Sequence, residues 1–400
     1  GPCVFGICSV TPSVPRNDPQ SAHGISIKAS TAYSAARKRA PGADASLKNA
    51  NASLEVHAPA LAVVGTQADL QYLSSPVSAI FNPPSATGMG FWSLNPYVGC
   101  AFGCAYCYAR DTHRWQLERA GADGARVAES MPAWLAFERR ILVKENAAAK
   151  VREALRSTRA PKPGDKLVIG TATDPYQPAE RHLSITRSVL EALGDVRGLS
   201  ITIITKSPLV TRDVALLARL CVRNRVTVHM SLITLDRDLA RRIEPRAPTP
   251  DSRLRAVRRL TDAGIDVGVN CMPVLPGITD HPQALADLVK RVAESGASHI
   301  ATASLRLKPS AKRRYLMLMR ESFPELTQRY LAAYSDGQHI KTSYKTGLSE
   351  YMHKLCDKHG LSTRAYKYDG EELVADSNKD ALPAVDLAHQ PLEAQLVLAL

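Results

Sequence analysis

From Leu94 onward the chain alternates short apolar runs with longer amphipathic stretches. The runs Leu94–Val98, Lys166–Thr173, Leu199–Thr205, Val226–Ile233, Ile265–Met272 and His299–Leu305 are rich in β-branched residues. That is the texture of strands buried on both faces. Between them, Pro132–Ser157, Ala179–Leu193, Leu209–Val222, Ser252–Ala263 and Pro282–Ser295 carry helical spacing. In the last of these, Leu285, Leu288, Val289 and Val292 form one stripe. Six β–α units in series predict an α/β fold, a parallel sheet curled into a partial (β/α)6 barrel, with a helical C-terminal extension over Lys312–Tyr334 and Leu348–Lys358. Ligands of such sheets bind at the carboxyl ends of the strands, so the loops after each strand are the expected site.

The pattern weakens at both ends. Residues 1–75 show neither a strand nor a helix period and are expected to be a disordered tail, with Ala58–Val64 able to pack on the domain. The expected organisation is a barrel over 76–310, the extension over 311–368 and a loosely ordered tail over 369–400. No apolar stretch approaches the roughly 18 residues of a membrane helix, and the first ten residues lack a basic leader, so a soluble protein without a membrane partner is expected, while eight cysteines with three of them clustered suit a reducing, cytoplasmic compartment. The net charge of +13, from 51 Lys plus Arg against 38 Asp plus Glu, suits a polyanion such as DNA or RNA, or simply a solvated basic surface.

Chemistry concentrates in one segment, Asn95-Pro-Tyr-Val-Gly-Cys100-Ala-Phe-Gly-Cys104-Ala-Tyr-Cys107-Tyr108, directly after the first predicted strand. Three of the chain's eight cysteines lie there at C-x3-C-x2-C spacing. Three thiolates on one loop can each take an iron of a cubane and leave the fourth iron for a chelating substrate. Structural zinc usually pairs one C-x2–4-C with a distant second pair. Cys221, Cys271 and Cys356 stand singly, although His113 offers a fourth ligand for a Cys3His zinc site.

The cysteine loop, with the aromatic Tyr106 before its third cysteine, resembles the signature of the radical S-adenosylmethionine (SAM) superfamily. NPYVGCAFGCAYCYAR, VKENAA, TATDPYQPAE, ITIITKS, RRIEPRAPTP and PVLPGITD are similar to the group related to spore photoproduct lyase, often described as DNA repair photolyase-like. The resemblance implies a [4Fe–4S] cluster on Cys100, Cys104 and Cys107, and SAM as the second cofactor. It assigns SAM contacts to Tyr106, Tyr108, Thr171, Thr173, Asp174, Lys206, Ser231 and Val274. Asp174 would face the amino group, Lys206 the carboxylate, Ser231 the ribose or carboxylate, and Val274 the adenine. Each also has an ordinary reading: Asp174 as a turn cap, Lys206 as a surface lysine, Ser231 as a satisfied core serine and Pro273–Gly277 as a rigid turn.

The implied chemistry is one-electron cleavage of SAM to a 5′-deoxyadenosyl radical, fed by a flavodoxin- or ferredoxin-like donor. Spore photoproduct lyase returns a hydrogen atom from a cysteine at the second strand end, where this chain reads Gly170-Thr171-Ala172-Thr173. Cys271 is therefore a candidate donor and Tyr97 or Tyr108 a candidate relay, with a buried inert cysteine as the alternative. His229, two residues before Ser231, shares its strand face and is a candidate for substrate protonation or a core histidine. Eight arginines between Asp236 and Arg259, including Arg241, Arg242, Arg246, Arg253 and Arg255, form either an anion-binding edge or an ion-paired helix face. Lys308, Lys312, Arg313 and Arg314 suit a nucleic-acid backbone. Three functions fit: a radical SAM enzyme acting on nucleic acid, one modifying a peptide or small metabolite, and a non-enzymatic Fe–S or zinc nucleic-acid-binding protein.

Overall fold

The computed structural model describes residues 62–112 and 131–363. Its strands are β1 (Val63–Gln67), β2 (Leu70–Ser74), β3 (Phe81–Asn82), β4 (Trp92–Leu94), β5 (Tyr97–Val98), β6 (Arg140–Val143), β7 (Lys166–Ile169), β8 (Ser200–Thr205), β9 (Arg225–Ser231), β10 (Asp266–Val274), β11 (His299–Ser304) and β12 (Ser362–Thr363). The helices used below are α1 (Pro84–Thr87), α2 (Ala133–Arg139), α3 (Ala147–Leu155), α4 (Glu180–Leu183), α5 (Ile185–Ala192), α6 (Val214–Cys221), α7 (Arg237–Ile243), α8 (Pro250–Asp262), α9 (Pro282–Glu294), α10 (Pro309–Ser322), α11 (Pro324–Ala333) and α12 (Thr342–Lys358).

An eight-stranded sheet runs in the order β12-β11-β10-β9-β8-β7-β4-β3, parallel from β12 to β4, with β3 antiparallel at the edge. Five of the six predicted parallel strands are in it as β7 to β11, and of the first, Leu94–Val98, only Leu94 is, at the end of β4. Val226, Val228 and Met230 of β9 and Val267, Val269 and Cys271 of β10 alternate with Thr227, His229, Ser231, Asp266, Gly268 and Asn270. Alternation sends the two sets to opposite faces. The apolar set meets the helices, with Cys271 beside Cys356 of α12. The polar set lines the inner face.

Three expectations change. Residues 63–74, assigned to the tail, form the β1–β2 hairpin, while 1–61 lie outside the described residues. The predicted strand Leu94–Val98 is broken: β4 joins the large sheet and β5 turns away to a four-stranded sheet of order β1-β2-β6-β5. The predicted helix Pro132–Ser157 is interrupted by β6, because the Arg-Ile-Leu-Val run buries its apolar residues between β2 and β5 rather than on a helix stripe.

The C-terminal helices complete the main core instead of standing apart. Tyr330 donates to the Pro276 carbonyl at 2.6 Å, Tyr334 to Leu305 at 3.0 Å and Tyr344 to Asp280 at 2.9 Å. No helix among the described residues is long and apolar enough to cross a membrane. Residues 364–400 lie outside the described part.

Candidate active site

The cysteine loop leaves β5 at the carboxyl edge of the large sheet. Gly99 and Gly103 take φ of +87° and +69°, the left-handed region in which a side chain is strained. The loop backbone is pinned by five residues. Cys100 N–H donates to Phe137 O at 2.9 Å, Ala101 N–H to Gln177 Oε1 at 2.9 Å, and Ala105 N–H to Ile243 O at 3.0 Å. Arg110, fully buried, donates to the carbonyls of Gly103 (3.2 Å) and Cys104 (2.8 Å) and pairs with Glu138 at 2.5 Å. Arg246 donates to Ala101 O, so one member of the arginine run holds the loop.

Cys100 and Cys104 are buried and Cys107 half-buried, and all are free thiols. Burial pushes all three thiols up, Cys104 to about 12. Lys206 opposes this at Cys104 and Cys107, Arg253 at Cys104 and Arg110 at Cys107. These cations are the compensation that buried thiolate ligands need.

Behind the loop lies a buried network that the sequence reading missed. Glu244 accepts hydrogen bonds from Tyr106 Oη and Arg253 Nη2. Arg253 also donates to Pro248 O (2.9 Å) and Ser231 O (3.0 Å), tying the network to the end of β9. Burial pushes the Glu244 carboxyl up, but Arg253 and Lys206 outweigh it and hold the group below its usual range. Lys206 sits with Nζ 3.9 Å from Glu244 and 5.7 Å from the centre of the Tyr106 ring. Burial pulls its pKa down, and Cys104 and Glu244 more than restore it. Its side chain is 16 % exposed, and its ammonium makes no hydrogen bond to the chain among the described residues. A half-buried cation with open donors is well placed to take an anionic ligand. Glu244 stands in the RRIEPRAPTP segment, where the arginines around it drew attention to surface charge instead.

The other expected contacts divide. Asp174 accepts from Thr205 Oγ1 (2.7 Å), Lys206 N (2.7 Å) and Tyr176 N (2.9 Å), so it joins the ends of β7 and β8 in the turn-cap role. Thr173 donates to Gly99 O at 2.5 Å and accepts from Gln177 at 3.1 Å, which positions the cluster loop. Thr171 accepts from Asn95 at 3.1 Å, and Tyr108 donates to the Thr171 carbonyl across the lip. Tyr108 is 41 % exposed, with Lys308 Nζ 6.0 Å from its ring centre. Ser231 is buried on the inner face, in register with Asn270, whose Oδ1 is buried without a hydrogen-bond partner. Val274 is fully enclosed in the core and presents no surface to a base, which corrects its assignment to adenine.

Both candidate catalytic residues are corrected as well. Cys271 is fully buried on the helix side of the sheet, facing Cys356 and away from the inner face. Tyr97 lies in the core of the small sheet and donates to Glu180 Oε2 at 2.6 Å. Tyr108, the alternative relay, is at the exposed lip. His113 lies outside the described residues, and among those described no three Cys, His, Asp or Glu side chains are gathered to hold one metal ion.

The superfamily profile described as "Radical SAM superfamily" matches residues 94–289, which spans the cysteine loop, Lys206, Glu244 and the inner-face residues through β10. The chain belongs to the radical SAM superfamily. An uncharacterized protein of Mycobacterium tuberculosis (strain H37Rv) is 31% identical over 320 residues, 80% of this chain and 86% of the relative. An uncharacterized protein of Methanocaldococcus jannaschii is 26% identical over 199 residues, 50% of this chain and 66% of the relative. Among solved structures, spore photoproduct lyase complexed with dinucleoside spore photoproduct is similar in fold, with a TM-score of 0.53 at 16% identity, covering 74% of this chain and 82% of that one.

Superfamily members use a [4Fe–4S] cluster and SAM. The residues present fit both groups. Three free thiols on one pinned loop match the cluster's ligand set, Lys206 offers unfilled donors beside them, and Asn270 offers an unfilled acceptor on the inner face. Cys100, Cys104 and Cys107 would hold the cluster, and Lys206 with the Asn270–Ser231 pair would meet the polar parts of SAM.

Proposed function

We propose that the chain is a radical SAM enzyme acting on nucleic acid. When bound, the cluster and SAM supply a 5′-deoxyadenosyl radical that removes a hydrogen atom from substrate, after one electron from a flavodoxin- or ferredoxin-like donor. The observation that carries the enzyme reading is the Lys206 ammonium, held by Glu244 and Tyr106 next to Cys104 without a hydrogen bond of its own. A lysine there binds a carboxylate through charge-assisted hydrogen bonds. Glu244 and Arg253 keep it oriented, and Arg110 and Arg246 hold the loop.

The substrate class is supported by the lip. Lys308 stands over Tyr108, and Arg306 is close enough to lower its pKa further after burial has done so. An exposed tyrosine ring with a cation over it and a second cation near that one suits a base stacked beside its phosphate. The net charge of +13 agrees in sign, and the fold is shared with a protein whose structure holds a dinucleoside lesion. The test is anaerobic turnover with dithionite, SAM and deuterated DNA or RNA oligonucleotides. Deuterium entering 5′-deoxyadenosine from an oligonucleotide is the expected result. Transfer only from deuterated peptides or small metabolites would overturn the nucleic-acid reading and leave the enzyme reading standing.

A further inference from the structure

The inner face carries a second polar arrangement below the cofactor residues. His229 of β9 and His299 of β11 both stand in register with Gly268 of the intervening β10. Their Nε2 atoms meet at 3.0 Å across that glycine. A Cβ at position 268 would lie 2.1 Å from His299 Nε2, so no other residue leaves room for the pair. His299 is fully buried and His229 nearly so.

The contacts continue toward the amino-terminal end of the sheet. His299 Nδ1 is 2.8 Å from Ser298 Oγ, and Ser298 donates to Asp266 Oδ1 at 2.6 Å. Thr227 donates to the other oxygen of Asp266 at 3.0 Å. Ser298 is exposed and Asp266 half-buried, so this end reaches solvent. The network sets the tautomers. With the serine hydrogen on Asp266, Ser298 Oγ accepts from His299 Nδ1–H. His299 Nε2 then accepts from His229 Nε2–H. Beside the pair lies Ile204 of β8, in register with His229, and one step above it are Ser231, Asn270 and Ala301.

We propose that His229, His299, Ser298 and Asp266 form a proton relay between the inner face beside Ser231 and Asn270 and solvent at the amino-terminal end of the sheet. A proton reaching His229 Nδ1 from the inner face is matched by one leaving at Asp266. His229 passes its Nε2 proton to His299 Nε2, His299 passes its Nδ1 proton to Ser298 Oγ, and the serine proton moves to the Asp266 carboxylate and on to water. That passage leaves both rings in the opposite tautomer, and from that state the reverse passage returns a proton to the inner face and restores the first tautomers. The substrate class this serves is one whose reacting group gains or loses a proton during turnover. Its use in catalysis rests on the proposed function, which places the reaction at the inner face; the conduction itself does not.

The test is nitrogen-15 NMR of the histidine rings in the cluster-loaded, histidine-labelled chain, with His229→Gln used for assignment. Exchange of the His229 ring hydrogen with water is read in the unaltered chain, in Ser298→Ala and in Ser298→Thr. The expected result is at least tenfold slower exchange in Ser298→Ala and near-normal exchange in Ser298→Thr, which keeps the hydroxyl. A core pair with a packing role alone predicts the same exchange in all three, and that result overturns the relay. So does a ring hydrogen that survives for hours in the unaltered chain. SAM binding is measured on the same samples: its absence with rapid relay exchange would count against the proposed function and leave the relay intact.

Discussion

Two buried glutamates each hold a tyrosine and an arginine, one in each sheet's neighbourhood. Glu180 accepts from Tyr97 (2.6 Å), from the backbone of Thr186 (2.8 Å) and Arg187 (3.1 Å), and from Arg212 (2.8 Å). Arg212 in turn places its remaining donors on Asp213 and the Glu180 carbonyl. Tyr97 and the Arg212 guanidinium there both have acceptors within the chain. Glu244 accepts from Tyr106 and Arg253, and its third cation, Lys206, is 3.9 Å away with donors to give. The same residue types therefore make a closed joint in one place and leave a cation with open donors in the other. Residue identity does not separate them; the state of the last cation does.

That contrast is broken first by removing each carboxylate. Glu180→Gln and Glu244→Gln each strip one partner from a buried pair and should each cost about 3–5 kcal/mol, read by denaturant unfolding. Only Glu244→Gln should also weaken SAM binding in the folded fraction; equal SAM affinities in the two variants would erase the distinction. Lys206→Ala should lose about 1.5–3 kcal/mol of SAM affinity, a charged hydrogen bond's worth, with iron content unchanged. An unaltered dissociation constant would remove Lys206 from the site. Tyr97→Phe should cost about 1 kcal/mol of stability and leave 5′-deoxyadenosine formation per folded chain as before. Cys271→Ala should likewise keep turnover, and a loss of hydrogen transfer would restore it as a donor.

The smallest effect is one of pH. Glu244 is held below its unfolded value, so its stabilisation is complete above the ordinary glutamate range and is lost as pH falls through the folded value. The acid limb of the stability curve should therefore flatten in Glu244→Gln. An acid limb as steep as that of the unaltered chain would show that the carboxyl is not held low.

The parallel strands were legible because strands buried on both faces leave continuous β-branched runs. The cysteine loop was legible because its spacing is local. What was lost depended on partners distant in sequence. β6 reads as helix until β2 and β5 are there to pair with it. Glu244 lies 138 residues from Tyr106, and no local period announces that contact. Tyr97 sits close to the cysteines in sequence, yet the turn of β5 into the small sheet carries it to Glu180. Cys271 was one residue of alternation away from the inner face, and a period of two sent it to the helices. His229, read as either a protonating group or a core histidine, turned out to be paired across a glycine on the neighbouring strand.

The most direct test of the account is whether three thiols leave one iron open to SAM. The oxygen-protected, reconstituted chain is treated with dithionite and SAM, and 5′-deoxyadenosine is quantified beside Cys104→Ala. The account predicts a cluster near four irons per chain, as a [4Fe–4S] centre requires, with product in the unaltered protein and neither in the variant. A tetrahedral zinc site in X-ray absorption, with no 5′-deoxyadenosine from either protein, would contradict it.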